Sequence, residues 1–528
     1  MSAARILVAD PLSSAGLDIL RAGGAEVIDV SAEGRAAVEA AIGDCTALLV
    51  RSRTQVDAAL LALGTHLRVV GRAGVGVDNV DVFEATRRGV LVLNAPNANL
   101  ISATEHSLAL LLALARQLPA ADASMKRGEW ERGRFLGVEL QGKTLGVIGF
   151  GRIGQKVAAR AQAFEMKVIA FDPWLDKEVA GRLGVPLKPL DELLEEADAV
   201  TFHVPLTPET KNLLSAERIA RMKPGALLVN CARGGVVDEA ALLSALDSGH
   251  LGGAALDVFA QEPPADARLI GHPKVVATPH IGAQTAEAQE RVSSEVARMV
   301  LDALSGSYAV SAVNLPFSAD ASGAGPFLRL GEQLGRLATA LAGGKIASLN
   351  VDLRGVPEAF GAAVSLAVAK GALDRALGDA VNFVNVEWLA RDRGIELVRT
   401  LHPRRGETGE QVGLRIVGSE GEFSIGGMLY ADRQPRLIRL GTLPLECRLE
   451  GHLLLLRSWD VPGVIGKVGT KLGTLGVNIA DIHLARKDNE RDAWTVYRVD
   501  QQLTPEMIAE LAALPEIRRV FDLDLSRG

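Results

Sequence analysis

The chain has 528 residues, more than a single hydrophobic core usually spans, so three to four domains are expected. With 48% hydrophobic and 23% charged residues it has the balance of a soluble enzyme, and a net charge of −7 leaves no basic footprint for a nucleic-acid partner. Cys45, Cys231 and Cys447 are too scattered for a disulfide framework or a zinc site, so no metal is expected.

Met1 to Ala9 runs straight into strand-like sequence and lacks the longer apolar core of a signal peptide, which points to the cytoplasm. Predicted strands then alternate with helical stretches: Arg5–Ala9, Val27–Val30, Ala47–Val50, Val69–Gly71 and Leu91–Leu93. This is an α/β pattern. After the third strand, Arg51-Ser52-Arg53-Thr54 offers two cations and two hydroxyls near the crevice; the other reading of Arg51 and Arg53 is a solvated loop. One long helix is predicted from Ile101 to Met125, with a wide apolar face suited to a connector or a subunit interface. Its most apolar part, Leu108 to Ala115, is too short to cross a bilayer and ends at Arg116, so no membrane is expected.

The most informative segment follows. Gly149, Gly151 and Gly154 have the G-x-G-x-x-G spacing between a predicted strand (Thr144 to Phe150) and a predicted helix (Ile153 to Phe164). Gly149 permits the tight turn, Gly151 lets backbone approach a pyrophosphate, and Gly154 lets helix pack on strand. The pyrophosphate would rest on unpaired N–H groups at the positive end of that helix. Asp172 closes the next strand, Lys167–Phe171, where a carboxylate accepts hydrogen bonds from ribose hydroxyls and repels a 2′-phosphate. The expected cofactor is therefore NAD rather than NADP.

Further strands are predicted at Ala199–His203, Leu227–Asn230, Gly253–Asp257 and Val275–Ala277, followed by a helix from Glu287 to Leu304. Arg233, Glu262 and His280 each fall beyond the carboxyl end of one of them, where open α/β sheets place their ligand crevice. Hydride transfer from a 2-hydroxy acid needs a base for the hydroxyl proton, a cation for the carboxylate, and an acid to orient the base. Histidine, arginine and glutamate have those properties. His203 and His106 are read as packing or capping residues.

Around Ser305 to Pro326 the periodicity breaks into Gly, Ser, Ala and Pro, a domain boundary. Residues 318–450 then show a helix (Phe327 to Ala342) and mixed α+β sequence without a catalytic constellation. Leu453 to Leu525 has the strand-helix-strand-strand-helix-strand order of a small ferredoxin-like module.

Five motifs in order, Arg72–Asn79, Gly149–Gly154, Asn230–Gly235, Asp257–Pro263 and Thr278–Gly282, resemble the D-2-hydroxyacid dehydrogenases over about residues 1 to 316. The resemblance implies two Rossmann-like lobes: a substrate lobe at 1–98 completed by 284–316, and an NAD-binding lobe at 99–283. It assigns Arg233 to the substrate carboxylate and carbonyl oxygen, His280 to acid/base work and Glu262 to its support. Arg152, Ile153, Asp172, Cys231, Asp257 and Gly282 would line the cofactor beside Gly149, Gly151 and Gly154. Arg51, Ser52 and Asn99 would line the substrate site, with Val75 and Gly76 giving backbone N–H groups to its carboxylate.

The whole layout resembles the long branch of that family, which oxidises D-3-phosphoglycerate to 3-phosphooxypyruvate at the start of L-serine synthesis. That branch implies an intervening, allosteric substrate-binding type domain at 318–450 and an ACT module at 452–528. Asp460 and Asn478 match the ACT ligand positions, implying L-serine bound between paired modules and a homotetramer; the other reading makes the module an assembly scaffold only. Arg436, Arg439, Arg448 and Arg498 form either an anion patch or scattered surface charge. Two rival functions are a hydroxypyruvate or glyoxylate reductase and a non-catalytic NAD-sensing binding protein. The two extra domains argue against the first, and the intact Arg233, Glu262 and His280 against the second.

Overall fold

Short runs of Val, Leu, Ile and Ala, buried on both faces in the central strands and part-exposed at the edges, build two parallel sheets, as such runs do when helices cover both sides. In the computed structural model, which describes residues 3–306, 312–317, 323–402, 410–486 and 491–525, the first sheet holds β1 (Arg5–Val8), β2 (Glu26–Asp29), β3 (Ala47–Val50), β4 (Val69–Arg72) and β5 (Leu91–Asn94). Their order is β2-β1-β3-β4-β5, all parallel. The second holds β6 (Thr144–Ile148), β7 (Lys167–Phe171), β8 (Ala199–Phe202), β9 (Leu227–Asn230), β10 (Gly253–Leu256) and β11 (Val275–Ala277), in the order β11-β10-β9-β8-β6-β7. Each sheet reverses its winding once, between β1 and β3 and between β6 and β8, and those switch points mark the ligand crevices.

The chain then returns to the first sheet. The helix Ala286–Leu304 lays Val292, Val296 and Val300 across β4. Ala312 bridges to Leu93, and the Asn314 side chain fastens the β5 backbone at Val90 and Val92.

The single helix expected from Ile101 to Met125 is instead two, Leu100–Ala115 and Leu118–Lys126, bent by 64°. Gln117 adopts a left-handed backbone (φ 52°), and Pro119 sits in the first turn of the second helix, where its missing N–H costs nothing. Among the described residues no single helix is long and apolar enough to cross a membrane.

The third sheet comprises β12 (Ile346–Arg354), β13 (Glu396–His402), β14 (Gln411–Gly418), β15 (Gly421–Leu429), β16 (Pro435–Leu440) and β17 (Leu443–Arg448), ordered β13-β12-β14-β15-β16-β17. Helices Gly325–Ala342 and Glu358–Leu377 pack on each other and into its core. A short helix, Val386–Asp392, follows Asn382, whose amide donates to the Gly89 carbonyl of the first lobe at 2.8 Å. The last module is β18 (His452–Trp459), helix Val464–Thr474, β19 (Ile479–Arg486), β20 (Asp492–Val499), helix Pro505–Ala512 and β21 (Ile517–Asp524). This is the expected βαββαβ order, with sheet order β19-β20-β18-β21. Strand alternation splits its residues. Leu454, Leu456, Tyr497 and Val499 pack with its own helices, while Leu453, Leu455, Val496 and Leu523 join the core of the third sheet. The boundary expected at Ser305–Pro326 lies in part outside the described residues.

Candidate active site

β9, β10 and β11 are adjacent, so the loops after them open side by side. They carry Arg233, then Asp257 and Glu262, then His280. His280 Nδ1 and Glu262 Oε2 are 2.7 Å apart, and Glu262 Oε1 accepts the Phe259 N–H at 3.2 Å. The hydrogen bond to Glu262 holds the His280 imidazole above its ordinary value, against the effect of burial. Burial pushes Glu262 upward, but the contacts with His280 and the Phe259 N–H outweigh it and leave the carboxyl lowered. Both shifts favour an imidazolium–carboxylate pair.

His280 sits in the left-handed region (φ 53°), a strained conformation for a side chain of this size. Asp257 holds it there. The Asp257 carbonyl accepts the His280 N–H at 2.9 Å, and its buried carboxylate accepts the Ile281 and Gly282 N–H groups at 2.8 Å each. The same carboxylate meets Thr278 Oγ1 at 2.6 Å, His106 Nε2 at 3.2 Å and Cys231 Sγ at 3.7 Å. Burial raises Asp257, yet its bonds with His106, Thr278, Ile281 and Gly282 win and hold the carboxyl low. His106 is therefore a floor residue of this site and not the packing or capping residue read from sequence. His203 lies elsewhere, 3.1 Å from Thr201 Oγ1, and burial pushes it down to about 4, too low for proton exchange near neutrality. Ligand atoms of His106, Cys231 and Asp257 fall within 4.8 Å of one another. The Asp257 oxygens are engaged by the Thr278 hydroxyl and the Ile281 and Gly282 N–H groups, so the cluster is built as a hydrogen-bond network.

The cofactor-type turn stands at the switch point. Gly149 has φ 89°, and a Cβ there would lie 2.6 Å from the His203 carbonyl, so only glycine fits. Beside Gly151 there is open space, as a cradle for a pyrophosphate requires, and Gly154 packs against Gly149. Asp172 closes β7, where its oxygens accept the Phe150 N–H at 2.9 Å and the Trp174 N–H at 3.0 Å. Arg152 opens the helix after the turn and bonds Asn97 Oδ1 at 2.7 Å, and Ile153 lies in the same first turn. These residues fit a dinucleotide.

Across the cleft, the first lobe presents the loops after β1, β3 and β4. Asp10 ties down the β3 loop through the Arg51 N–H (2.6 Å), the Thr54 hydroxyl (2.8 Å) and the Arg53 guanidinium (3.2 Å). Arg51 reaches Gln284 Oε1 at 3.3 Å, while Ser52 is exposed. Asn94 fixes the Val75 carbonyl at 2.6 Å, and Asn99 keeps a buried Oδ1 with no hydrogen-bond partner. Two residues that the sequence reading left unassigned converge here. Arg233 Nε pairs with Asp78 Oδ2 at 3.2 Å, bridging the lobes. Arg72 is lowered to about 10, by burial first and then by Arg233, and its Nε is buried without a hydrogen-bond partner. Arg72 and Asp78 both lie in the quoted Arg72–Asn79 motif, which was the available signal.

The C-terminal positions are not brought together. Asp460, after β18, is 3.6 Å from Arg486, and Asn478, before β19, donates to Asp500 at 2.6 Å. β18 and β19 both pair antiparallel with β20, so Asp460 and Asn478 stand at opposite ends of one module, roughly 25 Å apart at strand rise. Arg436 pairs with Asp432 and stacks on Tyr430, Arg448 and Arg498 share Glu450, and Arg439 lies over Gly413 and Gly426. That is dispersed, largely compensated charge.

Comparison with known proteins gives a consistent result. Residues 108–282 match the model of the D-isomer specific 2-hydroxyacid dehydrogenase NAD binding domain, and residues 324–441 that of the D-3-phosphoglycerate dehydrogenase intervening domain. The chain is 41% identical to a D-3-phosphoglycerate dehydrogenase of Synechocystis sp. over 99% of this chain and 95% of the relative. It is 42% identical to one of Mycobacterium bovis over the full length of both. Among solved structures, the TT0316 protein from Thermus thermophilus matches with a TM-score of 0.55 and 39% identity, covering 58% of this chain and 99% of that one. A D-lactate dehydrogenase from Aquifex aeolicus, complexed with NAD and lactic acid, matches with a TM-score of 0.51 and 29% identity, over 57% of this chain and 96% of that one.

Proposed function

Because this chain belongs to the D-3-phosphoglycerate dehydrogenase family, within the D-2-hydroxyacid dehydrogenases, we propose that its interlobe cleft oxidises D-3-phosphoglycerate through Arg233, Glu262 and His280. The reaction is NAD-dependent, gives 3-phosphooxypyruvate and opens L-serine synthesis. The carrying observation is the His280–Glu262 pair at 2.7 Å beside a guanidinium, at the mouths of three adjacent strands. His280 takes the C2 hydroxyl proton on its free Nε2, while Glu262 fixes the tautomer at Nδ1 and stabilises the imidazolium that results. Arg233 and the Val75 and Gly76 N–H groups hold the carboxylate, and Arg51, Ser52 and Asn99 surround the phosphate end. Gly149, Gly151, Arg152, Ile153, Gly154, Asp172, Cys231, Asp257 and Gly282 would hold NAD, which when bound would supply the hydride acceptor for C2.

The proposed domains are 1–98 with 284–316, 99–283, 318–450 and 452–528, a division that the presence of four separate sheets supports. L-Serine would bridge Asp460 of one ACT module and Asn478 of a second, which their separation within one module requires. Module pairing together with pairing of the catalytic lobes gives a tetramer. Three free thiols suit a reducing cytoplasm. NADH formation from a panel of 2-hydroxy acids tests the reading: turnover of glycerate with none of D-3-phosphoglycerate refutes it.

A further inference from the structure

The two edges of the Arg233 guanidinium are both engaged. Nη1 donates to the Ala232 carbonyl at 2.7 Å, and Nε pairs with Asp78 Oδ2 at 3.2 Å. A carboxylate binds an arginine best through two parallel N–H groups, and with Nη1 tied back the remaining two-pronged edge is Nε with Nη2. Asp78 stands on that edge. Gly76 marks the same place, since a Cβ there would meet both Arg233 Nη2 and Asp78 Oδ2. The Asp78 carboxylate thus shares the backbone corner, at Val75 and Gly76, that the proposed function gives to the substrate carboxylate. Arg233 is mostly buried (27% exposed), whereas Asp78 is 67% exposed and is free to swing into water.

We propose that Asp78 is an internal competitor for the substrate carboxylate: it occupies the Nε–Nη2 edge of Arg233 across the lobes and is exchanged when a carboxylate enters. This rests on the reading of Arg233 as the carboxylate site. Asp78 is a positioning and selectivity residue and takes no part in proton or hydride transfer. A weak anion that engages only one prong gains little from displacing it, while a ligand that also reaches Arg51 and Arg72 gains enough to do so. The exchange therefore favours acids with a second anionic group over simple monocarboxylates.

Calorimetric titration with oxalate, alongside KM for D-3-phosphoglycerate, tests this on the full-length protein. Asp78→Asn keeps the shape and removes the competing charge, so oxalate affinity is expected to tighten and KM to fall about two- to fivefold, the worth of a half-exposed ion pair. Asp78→Ser should shift both in the same direction, and Asp78→Glu, which restores a carboxylate, should return them towards native values. A merely structural Asp78 would weaken binding when removed. Unchanged or weaker oxalate binding in both neutral variants overturns the proposal while leaving the carboxylate site intact. Arg233→Lys separates the two failures: oxalate binding unaffected by that change would remove the carboxylate site itself.

Discussion

Replacing Glu262 by Gln removes one negative charge and keeps a side chain able to accept from His280 Nδ1. The charge centres of the pair lie about 4 Å apart, worth about 1 kcal/mol in water and about 4 kcal/mol at an effective dielectric of 20. His280 is 49% and Glu262 39% exposed, so solvent screening governs and the lower figure applies. About 1 kcal/mol moves an ionisation by about 0.7 pH unit. Glu262 raises His280, so its loss must lower it. Oxidation needs neutral imidazole as base; the acid limb of kcat/KM for NADH formation should therefore move about 0.7 unit towards lower pH. Reduction needs imidazolium, and its alkaline limb should move down by the same amount. Stability responds with the same logic. The His280 share is present below the ordinary imidazole value and is lost as pH rises through its raised value. The Glu262 share is present above the ordinary carboxylate value and is lost as pH falls through its lowered one. Full pH–rate profiles of both enzymes, in both directions, provide the measurement. Limbs that coincide in the two enzymes would refute the assignment of His280 and Glu262 as the titrating pair.

His280→Ala should lower kcat by roughly 10²–10⁴, the usual span for a general base, while NAD still binds by calorimetry; retention of most activity would place the base elsewhere. Asp172→Ala should narrow the preference for NAD over NADP by about 1–2 kcal/mol, read from the ratio of kcat/KM values. Because Asp172 also accepts two backbone N–H groups, both cofactors will bind less well, and only the ratio is diagnostic. L-Serine should give binding heat that Asp460→Ala abolishes, with a coupling to the active site of about 1–3 kcal/mol that is equal in both directions. No heat at millimolar serine would leave the module as scaffold.

The parallel strands were legible because a β-run is locally encoded: Ala47–Val50 and Leu227–Asn230, fully buried, and the part-exposed Val275–Ala277 lie where Val, Leu and Ala cluster between turn residues. Arg233, Glu262 and His280 were legible because each falls just beyond such a run. What failed was contact across long sequence distances. His106 was misread because its partner, Asp257, is 151 positions away, and a histidine early in a helix carries no mark of that pairing. The Asp78–Arg233 bridge joins two lobes and has no local signature either. The broken helix had one, Pro119, but the apolar pattern continues through it, and a proline in a first turn does not by itself reveal where the preceding helix stops.

Leu453, Leu455, Val496 and Leu523 sit in one core with Leu330, Leu334 and Leu414, and Trp494 lies between Phe423 and Phe521. The last two sheets thus share one apolar core across the boundary between them. A protein shortened after Leu449 would bare a broad apolar face, the kind of surface that drives aggregation. Thermal unfolding of residues 323–525 should accordingly show one transition shared by both sheets.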